Sequence, residues 1–368
     1  MSRPLHVLVV DDSAVVRQTI MAILRREGFE VTTAADPLIA AERLANIDPD
    51  VMLLDLEMPR MDGLSFLRKI MAERPMPVVI CSALAARGTE NAVRALEEGA
   101  VDIVAKPQYA VRDFLNESAV MLTDTIRAAA AARLLLKRRH APTPRGGADA
   151  SSAPRRPADE ASAAPNMVIA IGASTGGTDA LRSIISELQP GAPPIVVVQH
   201  MPAKFTAVFA RSLDASSRLH VREAADGDIV TAGTVLIAPG DRHMRITPHL
   251  HGYRASLADG PLVSRHRPSV DVLFRSVATA AQHNALGILL TGMGADGADG
   301  LMAMRLAGAP TIAQDEESCV VFGMPKEAIR RGAAESVLPL SAMAEAIQTA
   351  GRVSAARHSR GVVYEAQR

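Results

Sequence analysis

The chain has 368 residues, with 40 Lys and Arg against 40 Asp and Glu, so its formal net charge is zero. This balance excludes an overall attraction to nucleic acid or to an anionic membrane surface. Aromatic residues make up 3% of the chain, which argues against base-stacking platforms for single-stranded nucleic acid. The length suffices for two domains. Because we find neither a membrane-span pattern nor a secretion signal, we expect a cytoplasmic protein without membrane insertion.

The first 125 residues alternate short apolar runs with helical patterns. Such runs are too short for helices, and unbroken runs are typical of parallel strands covered on both faces. The apolar runs lie at 5–10, 51–54, 77–81 and 101–105, and a further strand is predicted near 30–33. We therefore predict an α/β domain over residues 1–125, with a parallel sheet between two helical layers.

Polar residues follow the strands of this domain at their carboxyl ends, which share one crevice in an open parallel sheet. Asp11 and Asp12 follow the first strand, Asp55 the third, Ser82 the fourth and Lys106 the fifth. Three carboxylates at one point favour a hard divalent cation, Mg²⁺ before softer metals. Asp55 would be the nucleophile towards a phosphoryl group whose oxygens bind Lys106 and Ser82. Taken alone, Asp12 is equally a candidate N-cap for the helix that follows it.

Residues 1–125 resemble the receiver domain of two-component response regulators. Four stretches carry the resemblance: VLVVDDS, LLDLEMPRMDG, PVVICSA and GAVDIVAKP. The resemblance implies a flavodoxin-like fold with five parallel strands, Asp55 as the phosphoacceptor and a chemotaxis histidine kinase as the phosphodonor. It also implies Mg²⁺ held by Asp11, Asp12, Asp55 and the backbone carbonyl of Glu57.

Residues 140–165 contain no Val, Ile, Leu, Met or aromatic residue, but five prolines and eight alanines. Such a segment cannot bury enough apolar surface to offset its ordering entropy. We therefore predict a helix end and flexible linker over residues 126–165. A second domain would follow over residues 166–350, with a tail at 351–368 to which the sequence assigns no role.

Strand and helix patterns alternate again after the linker. Apolar runs lie at 167–171, 195–198, 234–237 and 286–290. Apolar residues with the spacing of one helix face begin at Leu181 and again at Val270. Residues 220–268 are rich in Gly, Arg, His and Thr without a helical period, which favours an antiparallel hairpin excursion. The second domain is thus predicted to be doubly wound and mainly parallel, with that excursion inserted.

Three candidate catalytic residues follow strands of the second domain. Ser174 lies in GASTGG, a G-x-S-x-G pattern between a strand and a helix. His200 follows the next strand, and Asp296 lies in TGMGADG after the run at 286–290. Together they would supply the nucleophile, base and orienting acid of acyl transfer. Separately, GASTGG suits phosphate binding, a lone histidine is more often structural, and Asp296 is a candidate N-cap.

Residues 165–350 resemble chemotaxis-type protein-glutamate methylesterases through six stretches in order: IGASTGG, VVQHMP, IAPGDRHM, HRPSVDVLF, LTGMGADGA and TIAQDEESCVVFGMP. The resemblance implies hydrolysis of glutamate γ-methyl esters on chemotaxis receptors to glutamate and methanol, without a cofactor for that step. It implies Ser174, His200 and Asp296 as the triad, and glutamine deamidation as a second reaction. The backbone N–H groups of Thr175 and Met293 are the best candidates for stabilising the oxyanion.

We expect the receiver domain to regulate the second domain. The unphosphorylated receiver would pack across the Ser174 crevice, and phosphorylation of Asp55 would open it.

A DNA-binding response regulator would need a basic helix-turn-helix output domain, whereas the second half is a long, charge-balanced α/β pattern. A peptidase or general carboxylesterase with the same triad, and a catalytically silent scaffold, remain as further alternatives. A monomer is the default.

Four histidines in the irregular region lack the spacing of a zinc site. We interpret them as surface or substrate-rim residues; they are His243, His249, His251 and His266.

Overall fold

The computed structural model describes residues 3–58, 62–83, 86–106, 112–139, 167–250 and 252–353. The predicted linker at 140–165 and most of the predicted tail lie outside these ranges. The chain divides into two compact units, the first with a five-stranded sheet and the second with a seven-stranded and a three-stranded sheet. Within the described ranges, we find no helix that is both long enough and apolar enough to cross a membrane.

The first unit is built on a parallel sheet with the strand order β2-β1-β3-β4-β5. Its strands are β1 (His6–Val10), β2 (Glu30–Ala34), β3 (Val51–Leu54), β4 (Val78–Ser82) and β5 (Asp102–Ala105). Its helices are α1 (Ala14–Arg26), α2 (Pro37–Leu44), α3 (Gly63–Glu73), α4 (Ala86–Glu97) and α5 (Arg112–Arg139). Every residue of β1, β3 and β4 is buried, which is why these strands read as unbroken apolar runs. The predicted flavodoxin-like fold is confirmed.

Ser13, and not Asp12, caps the amino terminus of α1. The Ser13 hydroxyl accepts a hydrogen bond from the backbone N–H of Val16 at 3.4 Å. Asp12 lies one residue before the cap and is exposed. The interpretation of Asp12 as the N-cap is therefore wrong, and its carboxylate stays at the carboxyl edge of the sheet.

The second unit contains a seven-stranded sheet with the order β15-β14-β13-β6-β7-β10-β8, in which every pairing is parallel. From residue 167 onwards the strands are β6 (Val168–Ala173), β7 (Ile195–Gln199), β8 (His220–Glu223), β9 (Ile229–Val230), β10 (Thr234–Ile237), β11 (His243–His249), β12 (Gly252–Ala258), β13 (Ala285–Leu289), β14 (Thr311–Gln314) and β15 (Ser336–Leu338). The helices are α6 (Gly177–Glu187), α7 (Phe205–Ser216), α8 (Val270–Ala281), α9 (Ala298–Leu306) and α10 (Met324–Arg330), followed by a 3₁₀ turn at Leu340–Ala342. The doubly wound prediction is confirmed.

Three strands of this sheet lacked a recognisable apolar run. β8 and β15 are its edge strands, and most of their residues are partly exposed, so they carry polar side chains. β14 is fully buried but begins with Thr311 and ends with Gln314, which shortens its apolar run to two residues. Partial exposure and buried polar side chains therefore hid these strands from a search for apolar runs.

The predicted hairpin excursion is a three-stranded antiparallel sheet with the order β11-β12-β9. β11 pairs with β12 from His243 opposite Ala258 to His249 opposite Gly252. Met244 and Ile246 of β11 are buried in a core cluster with Leu273 and Phe274 of α8. The excursion is thus anchored to the helix that begins just after residue 269.

Both parallel sheets have a topological switch point, where successive strands are added on opposite sides. In the first sheet β1 lies between β2 and β3, and in the second β6 lies between β13 and β7. A crevice opens outside the carboxyl ends of the strands at such a point. Asp11, Asp12 and Asp55 follow β1 and β3, whereas Ser174, His200 and Asp296 follow β6, β7 and β13.

Candidate functional site

Ser174 lies in a tight turn between β6 and α6. Its backbone N–H donates to the carbonyl of Thr291 at 3.0 Å, and its own carbonyl accepts from the N–H of Gly177 at 2.6 Å. Gly176 has a φ of 78°, a left-handed conformation that favours glycine. A side chain at Gly177 would overlap the carboxamide of Gln199. The glycines of GASTGG therefore allow the sharp strand-to-helix turn that a nucleophilic serine requires.

His200 and Asp296 are joined by a hydrogen bond of 2.8 Å between His200 Nε2 and Asp296 Oδ2. The backbone N–H of His200 donates to the carbonyl of Ala173, which places His200 beside the Ser174 turn. Because a carboxylate accepts hydrogen bonds, Nε2 carries the proton and Nδ1 keeps its lone pair. Nδ1 is buried and has no hydrogen-bond partner among the described residues, Ser174 included.

Asp296 is buried at the amino terminus of α8. Besides His200, it accepts hydrogen bonds from Ser269 Oγ at 2.8 Å and from the backbone N–H groups of Val270 and Asp271 at 2.8 and 3.1 Å. Burial by itself would raise the pKa of Asp296, but the donors and charge of its neighbours outweigh burial and lower the pKa to about 2. Asp296 is therefore ionised near neutral pH, at a helix end that favours negative charge.

The N-cap alternative for Asp296 is wrong. The residue at the cap of α9 is Gly297, which has a φ of 89°. The Asp296 side chain is instead directed to the start of α8 and to His200.

The TGMGADG loop passes close to the Ser174 turn. A Cβ atom at Gly292 would lie 2.6 Å from the Cβ of Ser174, so only glycine allows this approach. The loop is held by Gly292, whose carbonyl accepts from the N–H groups of Gly323 and Met324 at 3.0 and 2.8 Å. Met293 follows directly. The two candidate oxyanion donors, Thr175 and Met293, thus belong to loops that meet beside Ser174, while their role stays a prediction.

Sequence reasoning missed a set of buried polar residues behind this site. Gln199 Nε2 donates to the carbonyls of Ser174 at 2.9 Å and His200 at 3.1 Å. The Thr291 hydroxyl donates to the carbonyl of Thr175 at 3.0 Å and accepts from the N–H of Val321 at 2.9 Å. Gln314 accepts from the N–H of Thr291 at 2.8 Å. These residues share a signal, a polar side chain at the end of a buried strand.

The interpretation of the histidines as surface or rim residues is wrong for His243. His243 is buried, its Nε2 bonds to the carbonyl of Pro261 at 2.9 Å, and its Nδ1 accepts from the N–H of Ser269. His266 is half-buried, and its ring stacks on that of His200 with a centroid distance of 3.7 Å. His249 is half-buried, and His251 lies outside the described residues.

A second group of charged residues lies in the first unit. Asp11, Asp12 and Asp55 each offer a carboxylate oxygen, and these oxygens lie within 4.8 Å of one another. Lys106 Nζ bridges two of them, at 2.9 Å from Asp11 Oδ2 and 2.7 Å from Asp55 Oδ2. An all-oxygen set of this kind suits Mg²⁺. Of the five polar residues that were selected because they follow strands, four therefore lie together in the structure.

The electrostatics of this group differ from those around Asp296. Burial raises the pKa of Asp55, and Lys106 and the backbone N–H of Glu57, which donates at 3.1 Å, offset this effect only in part. Burial would lower the pKa of Lys106, but its bonds to Asp55 and Asp11 outweigh burial and raise it. The site therefore disfavours the negative charge of Asp55, whereas the two carboxylates stabilise the positive charge of Lys106.

Ser82 is buried after β4, but its hydroxyl is engaged elsewhere. Ser82 Oγ donates to the carbonyls of Gly88 at 3.1 Å and Ala83 at 3.3 Å. Its single hydroxyl proton is therefore already engaged by backbone carbonyls. Its role as a phosphoryl ligand stays a prediction, as does that of the Glu57 carbonyl as a metal ligand.

The two crevices together define a class of protein: an α/β chain that combines a receiver-type acidic site with a serine, histidine and aspartate group of the hydrolase type. Comparison with known protein families supports this class. A family described as CheB methylesterase matches residues 169–347, and one described as response regulator receiver domain matches residues 7–116.

Named relatives align with this chain over nearly their whole length. Protein-glutamate methylesterase/protein-glutamine glutaminase 5 of Anaeromyxobacter dehalogenans (strain 2CP-C) is 54% identical over 345 residues, which cover 93% of this chain and 95% of the relative. Protein-glutamate methylesterase/protein-glutamine glutaminase 2 of Rhodospirillum rubrum is 53% identical and covers 95% of this chain and 99% of its own length. The solved CheB methylesterase catalytic domain of Thermotoga maritima is 41% identical, covering 49% of this chain and 96% of its own, with a TM-score of 0.48.

The chain therefore belongs to the family of protein-glutamate methylesterases/protein-glutamine glutaminases that carry a receiver domain. This membership confirms the resemblance found in the sequence. It does not favour the DNA-binding alternative.

Proposed function

We propose that this chain is the phosphorylation-activated protein-glutamate methylesterase of a bacterial chemotaxis system, hydrolysing glutamate γ-methyl esters on receptors to glutamate and methanol. One observation carries the proposal. His200 binds the anionic Asp296 through Nε2, while its Nδ1 lone pair has no partner among the described residues and the His200 backbone bonds to the residue before Ser174. These contacts support a role for His200 as the general base towards Ser174.

The proposed reaction uses each group at a stated atom. Ser174 Oγ attacks the ester carbonyl carbon while His200 Nδ1 takes the hydroxyl proton. Asp296 stabilises the resulting imidazolium through its bond to Nε2. The tetrahedral intermediate then breaks its bond to the methoxy oxygen, which receives the proton from Nδ1 and leaves as methanol. Water hydrolyses the acyl-enzyme by the same base, and Ser174 regains its proton.

The negative charge of the tetrahedral intermediate requires donors that are already in place. We assign this role to the backbone N–H groups of Thr175 and Met293. One such donor contributes about 3 to 4 kcal/mol to transition-state stabilisation in other acyl transferases. The support is the close approach of Gly292 to Ser174 and the hydrogen bonds that hold both loops.

Methanol release from a methylated receptor by the full chain tests this function. We expect Ser174→Ala to lower kcat by a factor on the order of 10⁴ or more, because no other group supplies the nucleophile. Ser186→Ala, at an exposed position near the end of α6, is the matched control and should match wild type. Equal methanol release by Ser174→Ala and wild type would overturn the assignment. Turnover of an aryl ester without turnover of receptor would indicate a general carboxylesterase.

The receiver-type site is proposed to accept a phosphoryl group on Asp55 from a chemotaxis histidine kinase. Asp55 Oδ attacks phosphorus, the bond from phosphorus to the donor nitrogen breaks, and the donor histidine regains its proton. Lys106 exchanges its bond to Asp55 for a phosphoryl oxygen. Mg²⁺, held by Asp11, Asp12, Asp55 and the Glu57 carbonyl, would neutralise charge on the incoming group.

Phosphorylation is proposed to raise the methylesterase rate, with residues 1–125 as the regulatory and 166–350 as the catalytic domain. An acyl phosphate with Mg²⁺ should label wild type but not Asp55→Ala, and should speed methanol release by wild type alone. Labelling of Asp55→Ala would contradict the assignment of the acceptor. A fragment from about residue 160 that is slower than the unphosphorylated full chain would contradict inhibition by the receiver.

The same groups are suited to hydrolysis of a glutamine carboxamide. The Anaeromyxobacter and Rhodospirillum relatives are named as glutaminases as well as methylesterases. Ammonia would replace methanol as the leaving group and receive the proton from His200. Ammonia release from a receptor glutamine by wild type, and its loss in Ser174→Ala, would support this second reaction; ammonia release by both would exclude it.

A further inference from the structure

The imidazole of His266 lies flat against the ring of His200. Their centroids are 3.7 Å apart and their planes differ by 6°. The His200 side chain is 6% exposed, and Nε2 is hydrogen-bonded to Asp296 while Nδ1 lacks a partner among the described residues. The hydrogen bond from His200 Nε2 to Asp296 Oδ2 restrains the position of the ring, but the ring can still rotate about the axis of that hydrogen bond. A ring stacked on its face restrains that rotation.

His266 is itself firmly oriented. Its Nδ1 donates to the carbonyl of Ser264 at 2.7 Å, which leaves the Nε2 lone pair available. Val263 and His266 exchange two backbone hydrogen bonds, of 3.1 and 2.9 Å, around a two-residue turn. The stacked ring is therefore carried by a closed hairpin turn and by a hydrogen bond within that turn.

This turn holds two residues in a conformation that their side chains disfavour. Ser264 and Arg265 have φ values of 51° and 67°, the left-handed signs required at both central positions of a type I′ turn. Asn and Gly are the usual residues there, because other residues are strained in this region. Backbone strain of this kind is concentrated at functional sites. Here it orients the carbonyl of Ser264 towards His266.

The charge of His266 suits a stacking role. Burial and the neighbouring His200 lower the pKa of His266 to about 3, so its ring stays neutral near pH 7. A neutral aromatic face beside His200 favours a cation there when His200 takes the serine proton.

A metal site is the competing account of these residues. His200, His266 and Asp296 each offer a ligand atom, and these atoms lie within 4.8 Å of one another. Nearly parallel stacked imidazoles direct their lone pairs along separate planes, however, and cannot converge on a single ion. His200 Nε2 is moreover already bonded to Asp296. Stacking and not metal binding accounts for the geometry.

We propose that His266 is a positioning residue, which holds the ring plane of His200 so that Nδ1 faces Ser174. This role rests on the proposed methylesterase function, since the positioned group is the base of that reaction.

The test compares His266→Ala with His266→Phe in the full chain. Phenylalanine keeps a flat ring and should retain most of the activity, whereas alanine should lower kcat by about 10- to 100-fold because the base is no longer held in its reactive orientation. KM should stay within about twofold, since no substrate contact is removed. His283→Ala, an exposed histidine just beyond α8, is the matched control and should match wild type.

A spectroscopic measurement accompanies the kinetics. In the full chain with labelled histidine, the ring-proton signals of His200 are identified by their absence in His200→Ala. The ring current of a stacked neighbour should shift these signals upfield in wild type and His266→Phe, and the shift should disappear in His266→Ala. This readout does not depend on turnover.

The outcomes separate the two proposals. If wild type releases no methanol from methylated receptor, the proposed function fails and the positioning role fails with it. If wild type is active and His266→Ala equals it, the positioning role alone fails. A rise in KM with unchanged kcat would make His266 a substrate contact, and an inactive but folded His266→Phe would show that stacking is not what matters; either result overturns the inference.

Discussion

Asp55 and Asp296 each follow a buried strand next to the switch point of a parallel sheet, and each is 1% exposed. Asp296 accepts hydrogen bonds from His200, Ser269 and two backbone N–H groups, and its pKa falls to about 2. Asp55 is bonded to Lys106 and Glu57, and its pKa is raised because burial outweighs them. Topology brings a carboxylate to the crevice, whereas the surrounding donors decide whether its pKa is lowered or raised.

This contrast matches the two proposed roles. An orienting acid must keep its charge and geometry through every turnover, so a complete set of donors is useful. A phosphoacceptor must exchange its partners, and a lysine bridging two carboxylates can move to a phosphoryl oxygen. The following predictions test the contrast, from the largest expected effect to the smallest.

The largest effect is expected for Asp296→Asn. The asparagine amide can donate to His200 Nε2, which would move the ring proton to Nδ1 and remove the lone pair that accepts the serine proton. We expect kcat for methanol release to fall by about 10³- to 10⁴-fold. Asp299→Asn, at an exposed position on α9, is the control and should stay close to wild type. A loss in Asp296→Asn no larger than in the control would remove the distinction between the two aspartates.

An intermediate effect is expected for Lys106→Met. The substitution leaves Asp11 and Asp55 buried and facing each other without a positive charge, which should destabilise the first unit by about 3 kcal/mol in chelator. Mg²⁺ should restore most of this loss, because it replaces the missing charge. Lys69→Met, which removes an exposed contact with Glu73 on α3, should cost at most about 0.5 kcal/mol with or without Mg²⁺. Denaturant unfolding measures both; an unchanged Lys106→Met midpoint in chelator would contradict the expectation.

The smallest effect concerns the pH dependence of stability. Asp296 has a folded pKa of about 2, below its ordinary value of 3.8, so its stabilisation is present above about pH 4 and is lost as pH falls through 2. The stability difference between wild type and Asp296→Asn should therefore shrink by about 2 kcal/mol from pH 5 to pH 2. The raised pKa of Asp55 has the opposite sign: its charged form destabilises the fold, and protonation relieves this as pH falls.

The free energy of unfolding is measured across this pH range for wild type, Asp296→Asn and Asp55→Asn. Each variant is then compared with wild type, which gives two stability differences. The difference for Asp55→Asn should change in the direction opposite to that for Asp296→Asn. Two differences that change in the same direction would show that the donors around the two carboxylates are not what separates them.

Much of the fold and part of the site followed from local pattern. The unbroken apolar runs predicted β1, β3 and β6, because fully buried strands need no polar face. The positions of Asp55 and Asp296 after apolar strands were enough to predict both as site residues. The sequence pattern could not exclude Asp296 as a helix N-cap. Its actual role depends on contacts with α8, which is distant from Asp296 in the sequence.

The sequence by itself determined the order of the elements, the apolar cores and which reactive side chains end the strands, because these depend on residues close together in the chain. Tertiary structure alone decided which nitrogen of His200 binds Asp296, across 96 residues, and which nitrogen keeps its lone pair. It also decided that Gln199 and Thr291 hold the turn around Ser174 and that His266 covers the ring of His200. Such contacts join distant segments, and their geometry is set by strand order and packing, which no local spacing encodes.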